Sequence, residues 1–399
     1  MSLVAVPGLL REVRQCGRFD VNGCLNCGSC TVVCDLSEGH ASFPRRLIQL
    51  TLLGLKAPVR GSLEPWLCHD CGDCSTTCPR QAEPRESMMT LRRYLTTQYD
   101  FTGLSSKLLR SRTAETLTLS LVGALVFILV VLYHFYYKEV PMSVSEFVST
   151  PMGLEHMFPT IVYFTIAVCL IPVLILLVNA FRMYRFTMGG DDKLRTPFRF
   201  YAVEAKTMFW HMVSQRNMRK CADATPKNRW VKHWLLGFAF SLKFLIILFL
   251  LKWFQTDGVY PVYDPQRWVG YLIALVLILL PAEILVGRFR KRQHMYKFSE
   301  FSDLTLPVML LLTAVSGIAV HVFRYLEFSM ACHYAYAIHL AIAVPLIVVE
   351  LPFGKLSHLV YRPLAIYFQA VKERALAEGK LLVGEKTPDE TILKEAQPA

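Results

Sequence analysis

The sequence lacks the signatures of enzymes that act alone on soluble substrates. It has no Gly-rich phosphate-binding fingerprint, no Ser–His–Asp pattern and no flavin-binding motif. Charge is also scarce, since only 19% of the 399 residues are Asp, Glu, Lys or Arg. These absences exclude nucleotide-dependent and hydrolytic chemistry by the chain itself, so any such chemistry is expected in partner subunits.

Composition divides the chain into a polar part and an apolar part. Hydrophobic residues make up 53% of the whole, and the mean hydropathy of +0.36 is too high for a soluble protein. No alternating strand pattern appears around the cysteine-rich segment, whereas PRRLIQLTLLGLK has helical spacing. We therefore predict an all-α fold with a helical cytoplasmic domain over 1–112, a transmembrane domain over 113–362 and a polar, partly disordered tail over 363–399.

Six apolar runs approach or exceed the roughly 20 residues that a membrane-spanning helix needs. They cover about 116–135, 157–181, 234–254, 268–287, 304–323 and 333–352. The loops 182–232 and 288–303 are rich in Lys and Arg, and the opposite loops are poor in them. The positive-inside rule then places these loops and both termini in the cytoplasm. Membrane topology thus explains the net charge of +12, and we expect no nucleic acid partner.

Nine of the twelve cysteines precede residue 79, and a reducing cytoplasm argues against disulfides. Eight of them form two C-x2-C-x2-C-x3-C runs: Cys24, Cys27, Cys30 and Cys34, then Cys68, Cys71, Cys74 and Cys78. In two-cluster ferredoxins the fourth cysteine of each run commonly ligates the other cluster. We therefore predict one [4Fe-4S] cluster on Cys24, Cys27, Cys30 and Cys78, and a second on Cys68, Cys71, Cys74 and Cys34. Structural zinc, the alternative, typically uses pairs of C-x2-C. The other cysteines, Cys16, Cys169, Cys221 and Cys332, are interpreted as ordinary buried thiols.

Four of the eleven histidines occupy positions suited to haem ligation inside a helical bundle. His233 begins the third span and His358 follows the sixth, so they can share a haem on the inner side. His321 and His339 lie near the outer ends of the fifth and sixth spans and form a second predicted pair. His333 or His156 could replace His321, and for any single histidine the alternative is a hydrogen-bonded side chain at the membrane interface.

Lys243 lies ten residues after His233, about 15 Å deeper along the third span. A lysine at this depth is costly unless it has a partner. It is interpreted as a contact to a haem propionate or a quinone oxygen. The alternatives are snorkelling and pairing with a buried acid such as Glu283 or Glu350.

The segment HLAIAVPLIVVELPFGKLSHLVYRPLAIY resembles the last helix of the nitrate reductase gamma subunit family, and RWVKHWLLGFAF resembles that family's earlier ligand helix. The resemblance implies b-haem ligation by His339, His358 and His233. Lys243 stands where the family has a second histidine on the earlier helix, so the outer haem needs another ligand, which is His321 by position. If His321 is not a haem ligand, the chain is expected to hold only the inner haem.

Residues 15–90 resemble the C subunit of heterodisulfide reductase, although Asp35 follows the first run where Pro79 follows the second. The fusion of the two parts resembles the C-subunit family of quinone-interacting membrane-bound oxidoreductase (Qmo) complexes, found in the cytoplasmic (inner) membrane of sulfate-reducing prokaryotes. This resemblance implies menaquinone as substrate, flavin-containing soluble subunits A and B as partners, and electron delivery to adenylylsulfate reductase.

The predicted function is therefore electron transfer from menaquinol through b haems and two [4Fe-4S] clusters to soluble flavoprotein subunits. A second hypothesis keeps these cofactors in the membrane arm of a heterodisulfide-reductase-like or sulfite-reductase-linked complex. A third makes the membrane half a passive anchor without haem. A redox sensor is disfavoured because the sequence contains no DNA-binding or signalling module.

Overall fold

The computed structural model of the chain describes residues 4–37, 42–137, 154–189, 196–219, 226–251, 260–291 and 296–378. Most of the predicted outer loops, the predicted tail beyond residue 378 and the side chain of His156 lie outside these described residues.

Short helices linked by tight turns form the N-terminal domain. They are α1 (Leu9–Arg14), α2 (Ser29–Val32), α3 (Arg45–Leu52), α4 (Lys56–Arg60), α5 (Glu64–Leu67), α6 (Asp73–Thr76), α7 (Pro84–Tyr99) and α8 (Leu104–Arg110). Leu47 and Ile48 of α3 are buried in a core with Met88 and Leu91 of the long helix α7. The described residues contain no strand, so the predicted all-α fold is confirmed.

Six long apolar helices form the transmembrane bundle, and the predicted number of spans is confirmed. The helices are α9 (Arg112–Tyr137), α10 (Leu154–Thr187), α12 (Pro226–Phe249), α13 (Pro265–Phe289), α14 (Phe301–Tyr325) and α15 (Ser329–Pro345), with α11 (Phe198–Ser214) between the second and third. Many of their leucines point outward, as Leu121 (66% exposed) and Leu272 (57% exposed) do. An apolar exterior is stable only where lipid is the solvent.

The sixth span does not continue as one regular helix. After Pro345 it passes through a π-helical turn, Leu346–Glu350, and a last short turn, Leu351–Phe353. The backbone breaks at Gly354, where a β-carbon would collide with the buried carboxylate of Glu350. A new helix, α16, begins at His358 and runs to Ala377. An ideal helical path therefore does not connect His339 to His358.

Helix α16 extends beyond the predicted domain boundary at residue 362. Its buried residues Phe368, Val371 and Ala375 recur at helical spacing and pack the helix onto the molecule. Helix α11 lies against it, since the Tyr367 hydroxyl donates to the carbonyl of Tyr201 at 2.8 Å. The segment predicted as the start of a polar tail is therefore an ordered, packed helix as far as Ala377.

A carboxylate with only 14% of its side-chain surface exposed joins the N-terminal domain to the bundle. Asp303, in the first turn of α14, lies 2.6 Å from the ammonium of Lys355, 3.5 Å from the guanidinium of Arg93 and 3.9 Å from that of Arg288. Arg93 belongs to α7, Arg288 to the end of α13 and Lys355 to the break before α16. One side chain thus holds together three parts of the molecule that are distant in sequence.

Replacing Asp303 with Asn is expected to lower the free energy of unfolding by about 3 kcal/mol or more, because three neighbouring cations would lose their common counter-charge. Thermal unfolding of the detergent-solubilised protein measures this as a lower Tm. The matched control is Glu283→Gln, whose ion pair with Lys232 is 49% exposed on both sides and contributes under about 1 kcal/mol. Equal small shifts in both variants would contradict the role given to Asp303.

Candidate functional site

The two cysteine runs have the same local backbone. Gly28 (φ +89°) follows the second cysteine of the first run, and Gly72 (φ +99°) follows the second cysteine of the second run. This left-handed conformation favours glycine because a β-carbon is strained there. Each glycine starts a four-residue helix, α2 or α6, that carries the third cysteine. The sequence repeat is therefore also a structural repeat.

The fourth cysteine of the first run lies among the first three of the second. Cys34, Cys68, Cys71 and Cys74 line one cavity in the N-terminal domain. Burial raises the pKa of the Cys34 thiol to about 12, with the neighbouring thiols Cys68 and Cys71 adding to the rise. We name these four residues the inner cysteine group.

We name the remaining four cysteines, Cys24, Cys27, Cys30 and Cys78, the outer cysteine group. The pKa of Cys30 is raised by burial, and the nearby Cys24 and Cys78 thiols raise it further. Cys27 is exposed at the surface. The structure thus places Cys34 with the first three cysteines of the second run, and Cys78 near Cys24 and Cys30 of the first run.

Each cysteine group has the four thiols that a [4Fe-4S] cluster needs, since a cubane cluster takes one thiolate at each iron. Among the described residues, no three or more His, Cys, Asp or Glu side chains are close enough to hold one metal ion. Backbone amides also point at two of the sulfurs, from Asp70 to Cys68 at 3.5 Å and from Ala82 to Cys78 at 3.4 Å. Such bonds tune cluster potentials.

The inner predicted histidines face each other. The rings of His233, on α12, and His358, at the start of α16, have centroids 6.2 Å apart with planes at 63°. The Nδ1–H of His233 donates to the side-chain oxygen of Gln215 at 2.6 Å, and that of His358 donates to the carbonyl of Lys355 at 2.6 Å. Both Nε2 atoms are left for a metal, the arrangement found around protein-bound metal ions.

The separation of the two rings also suits a shared iron. Two metal–nitrogen bonds of about 2.0 Å, together with the half-widths of two imidazole rings, span roughly 6 Å between ring centres. Burial lowers the pKa of His358 to about 4, so its imidazole is neutral and able to ligate a metal. The residues present therefore fit a haem between α12 and α16.

The predicted outer pair is arranged differently. The Nε2 of His321 lies 2.7 Å from the Tyr271 hydroxyl. The Nδ1 of His339 instead lies 3.0 Å from the Ser316 hydroxyl, and Lys243 is within electrostatic range of His339. Among the described ring contacts, His321 and His339 do not face each other as the inner pair does. The charged neighbour of His339 is Lys243.

Family comparisons cover both halves of the chain. Residues 157–379, more than half of the chain, match the family Citrate utilization protein B (CitB). The chain belongs to the CitB family. In this CitB family member, residues 23–83 also match the 4Fe-4S dicluster domain family, and they contain both cysteine runs.

Individual relatives match the N-terminal domain. A protein of Archaeoglobus profundus named as similar to the heterodisulfide reductase C subunit is 31% identical over 100 residues, covering 25% of this chain and 53% of the relative. The C subunit of the ferredoxin:CoB-CoM heterodisulfide reductase of Methanosarcina mazei is 33% identical over 85 residues, covering 21% of this chain and 52% of the relative. The chain thus spans about half the length of these relatives. No solved structure matches.

These findings confirm part of the sequence prediction. The CitB family member carries a domain similar to the heterodisulfide reductase C subunit, with two [4Fe-4S] clusters, joined to a multi-pass membrane bundle. Sequence reasoning missed Gln215, which orients His233. It follows α11, eighteen residues before the histidine, and no local signal marks it.

The cysteine pairing is tested by iron and sulfide analysis with EPR of the reduced protein. We expect Cys34→Ser to lose the same cluster signal as Cys68→Ser and to keep the one that Cys24→Ser loses, because Cys34 lies in the inner group. Cys16→Ser, which alters a buried thiol in the same core, is expected to keep both clusters. Loss of one shared signal in Cys34→Ser and Cys24→Ser would instead mean that each run binds its own cluster.

Proposed function

We propose that this chain is the membrane electron-transfer subunit of a quinone oxidoreductase complex. It passes electrons from menaquinol to flavin-containing soluble subunits A and B, and on to adenylylsulfate reductase in dissimilatory sulfate reduction. When bound, two [4Fe-4S] clusters and b haem, two haems in the full proposal, supply one-electron transfer. The chain's own residues hold these groups in sequence between membrane and water.

The observation that carries the proposal is the direct connection between the histidine pair and the inner cysteine group. Arg229 lies one turn before His233 on α12 and donates to the carbonyl of His69 at 2.8 Å. His69 follows Cys68, so a single side chain spans from the histidine helix to the cysteine turn. This contact supports electron exchange between the bundle and the N-terminal domain.

The outer cysteine group supports exchange with a soluble partner. Cys27 is exposed, and beside it in sequence Leu25 is 66% exposed and Val32 is 89% exposed. Exposed apolar side chains around a redox centre are typical of a surface that a partner protein covers. We assign this surface to the flavin-containing subunits.

The far side of the bundle is proposed to hold the quinone chemistry. His321 and His339 are the proposed ligands of an outer haem, and Lys243, near His339, is the proposed contact to a quinone oxygen or a haem propionate. The basic ends of α10 and α13 support a multi-pass arrangement in the cytoplasmic membrane, with both termini in the cytoplasm.

A second candidate is the membrane arm of a heterodisulfide-reductase-like or sulfite-reductase-linked complex. The relatives of the N-terminal domain, named after the C subunits of heterodisulfide reductases, favour it. It uses the same residues and differs only in the soluble acceptor, so identification of the co-purifying subunits separates the two. A passive anchor without haem would leave the facing imidazoles of His233 and His358 without a role.

Haem content tests the proposal. In dithionite-minus-oxidised spectra with pyridine haemochrome quantitation, His233→Ala and His358→Ala are each expected to lose the same b haem, because the two facing imidazoles would hold it together. His333→Ala, in α15 at the opposite end of the sixth span from His358, is the control and should retain this haem. His339→Ala, His321→Ala and Lys243→Ala report on the outer site.

Two results would contradict the proposal. A wild-type complex without haem would support the hypothesis that the membrane half is a passive anchor. If the complex contains haem but a menaquinol analogue does not reduce that haem, quinol is excluded as the electron donor.

A further inference from the structure

Three arginines surround the space between the histidine pair and the inner cysteine group. Arg229 precedes His233 by four residues on α12, and Arg362 follows His358 by four residues on α16. Residues four apart share a helix face and lie about 6 Å apart along the axis. Arg92, from α7, completes what we name the arginine cluster. Each histidine thus has an arginine one turn closer to the N-terminal domain.

The arginine cluster has hydrogen-bond donors without acceptors. Arg229 donates from one terminal nitrogen to His69, but its other terminal nitrogen, Nη1, is buried without a partner in the described part of the chain. Arg362 makes no hydrogen bond or ion pair with any described residue. Arg92 is satisfied, since it donates to the carbonyls of Pro65 and Cys68. A buried donor without a partner, such as Nη1 of Arg229, indicates an acceptor that the described part of the chain does not provide.

Asp70 is an acid within electrostatic range of all three arginines, and it is already paired with Arg85 at 2.5 Å. The pKa of Arg362 falls to about 10 because it is buried and because Arg92 and Arg229 repel its charge. The space beside the histidine pair is therefore positively charged and suited to a bound anion.

We propose that Arg229 and Arg362, one from each ligand helix, bind the two propionate carboxylates of the haem held by His233 and His358. This rests on the proposed function, since it requires haem at that pair. A guanidinium offers two parallel N–H donors to a carboxylate, which the ammonium of a lysine does not. The two arginines then place the acidic edge of the ring on the side of Arg92 and Cys68.

Such contacts have a consequence beyond retention of the haem. Positive charge next to the ring favours the reduced iron, so the arginines raise the midpoint potential of this haem. An arginine with a purely structural role far from the ring would leave that potential unchanged.

The test uses the intact purified complex and the haem that is lost in His358→Ala. Optical redox titration is expected to give a lower midpoint potential in both Arg229→Gln and Arg362→Gln, and detergent washing should remove at least twice as much haem from them as from wild type. Arg374→Gln is the matched control: it lies twelve residues farther along α16, about 18 Å away, and binds Glu204. It should leave both quantities unchanged.

Arg362→Lys separates charge from geometry and also serves if a glutamine variant does not fold. It should keep the potential near that of wild type and retain less haem, because the charge remains and the paired donors are lost. A wild-type potential and wild-type retention in both glutamine variants would overturn the arginine assignment and leave the haem proposal intact. A midpoint potential in Arg362→Lys that differs from that of wild type would also overturn the arginine assignment. A wild-type complex without haem would overturn both.

Discussion

The carboxylate of Asp303 is the interaction on which the arrangement of the molecule depends. It meets one cation from α7, one from α13 and one from the break before α16. Three cations at this distance would repel one another strongly in a poorly hydrated interface. Their shared counter-charge allows the N-terminal domain to rest directly on the ends of the membrane helices.

The break at Gly354 has a comparable effect within the bundle. If the sixth span continued as a regular helix, His358 would stay on that helix axis. Because the chain passes through a π-helical turn and then restarts, His358 becomes the first residue of α16 and turns towards α12. Lys355, inside the break, contributes its ammonium to Asp303 and its carbonyl to His358. The same residues therefore join the N-terminal domain to the bundle and orient the ring of His358.

The proposed redox sites of the chain are arranged in order from its water-exposed surface to the membrane bundle. Cys27 of the outer cysteine group is exposed, and Cys68 of the inner group is buried. Arg229 links the inner group to the helix of His233, and His339 with Lys243 lies within the membrane bundle. This order suits the electron-transfer role proposed for the chain.

The sequence by itself determined the two cysteine runs, the six spans and the histidines at the ends of those spans. These depend on short spacings and on the length of apolar segments, which local geometry and bilayer thickness dictate. Only the tertiary structure decided that Gln215 orients His233, that Lys243 lies within electrostatic range of His339, and that α16 continues to Ala377. The same holds for the arginines that meet at the histidine pair. Each of these depends on how helices pack across long separations in sequence, and periodicity within one helix carries no information about its neighbour.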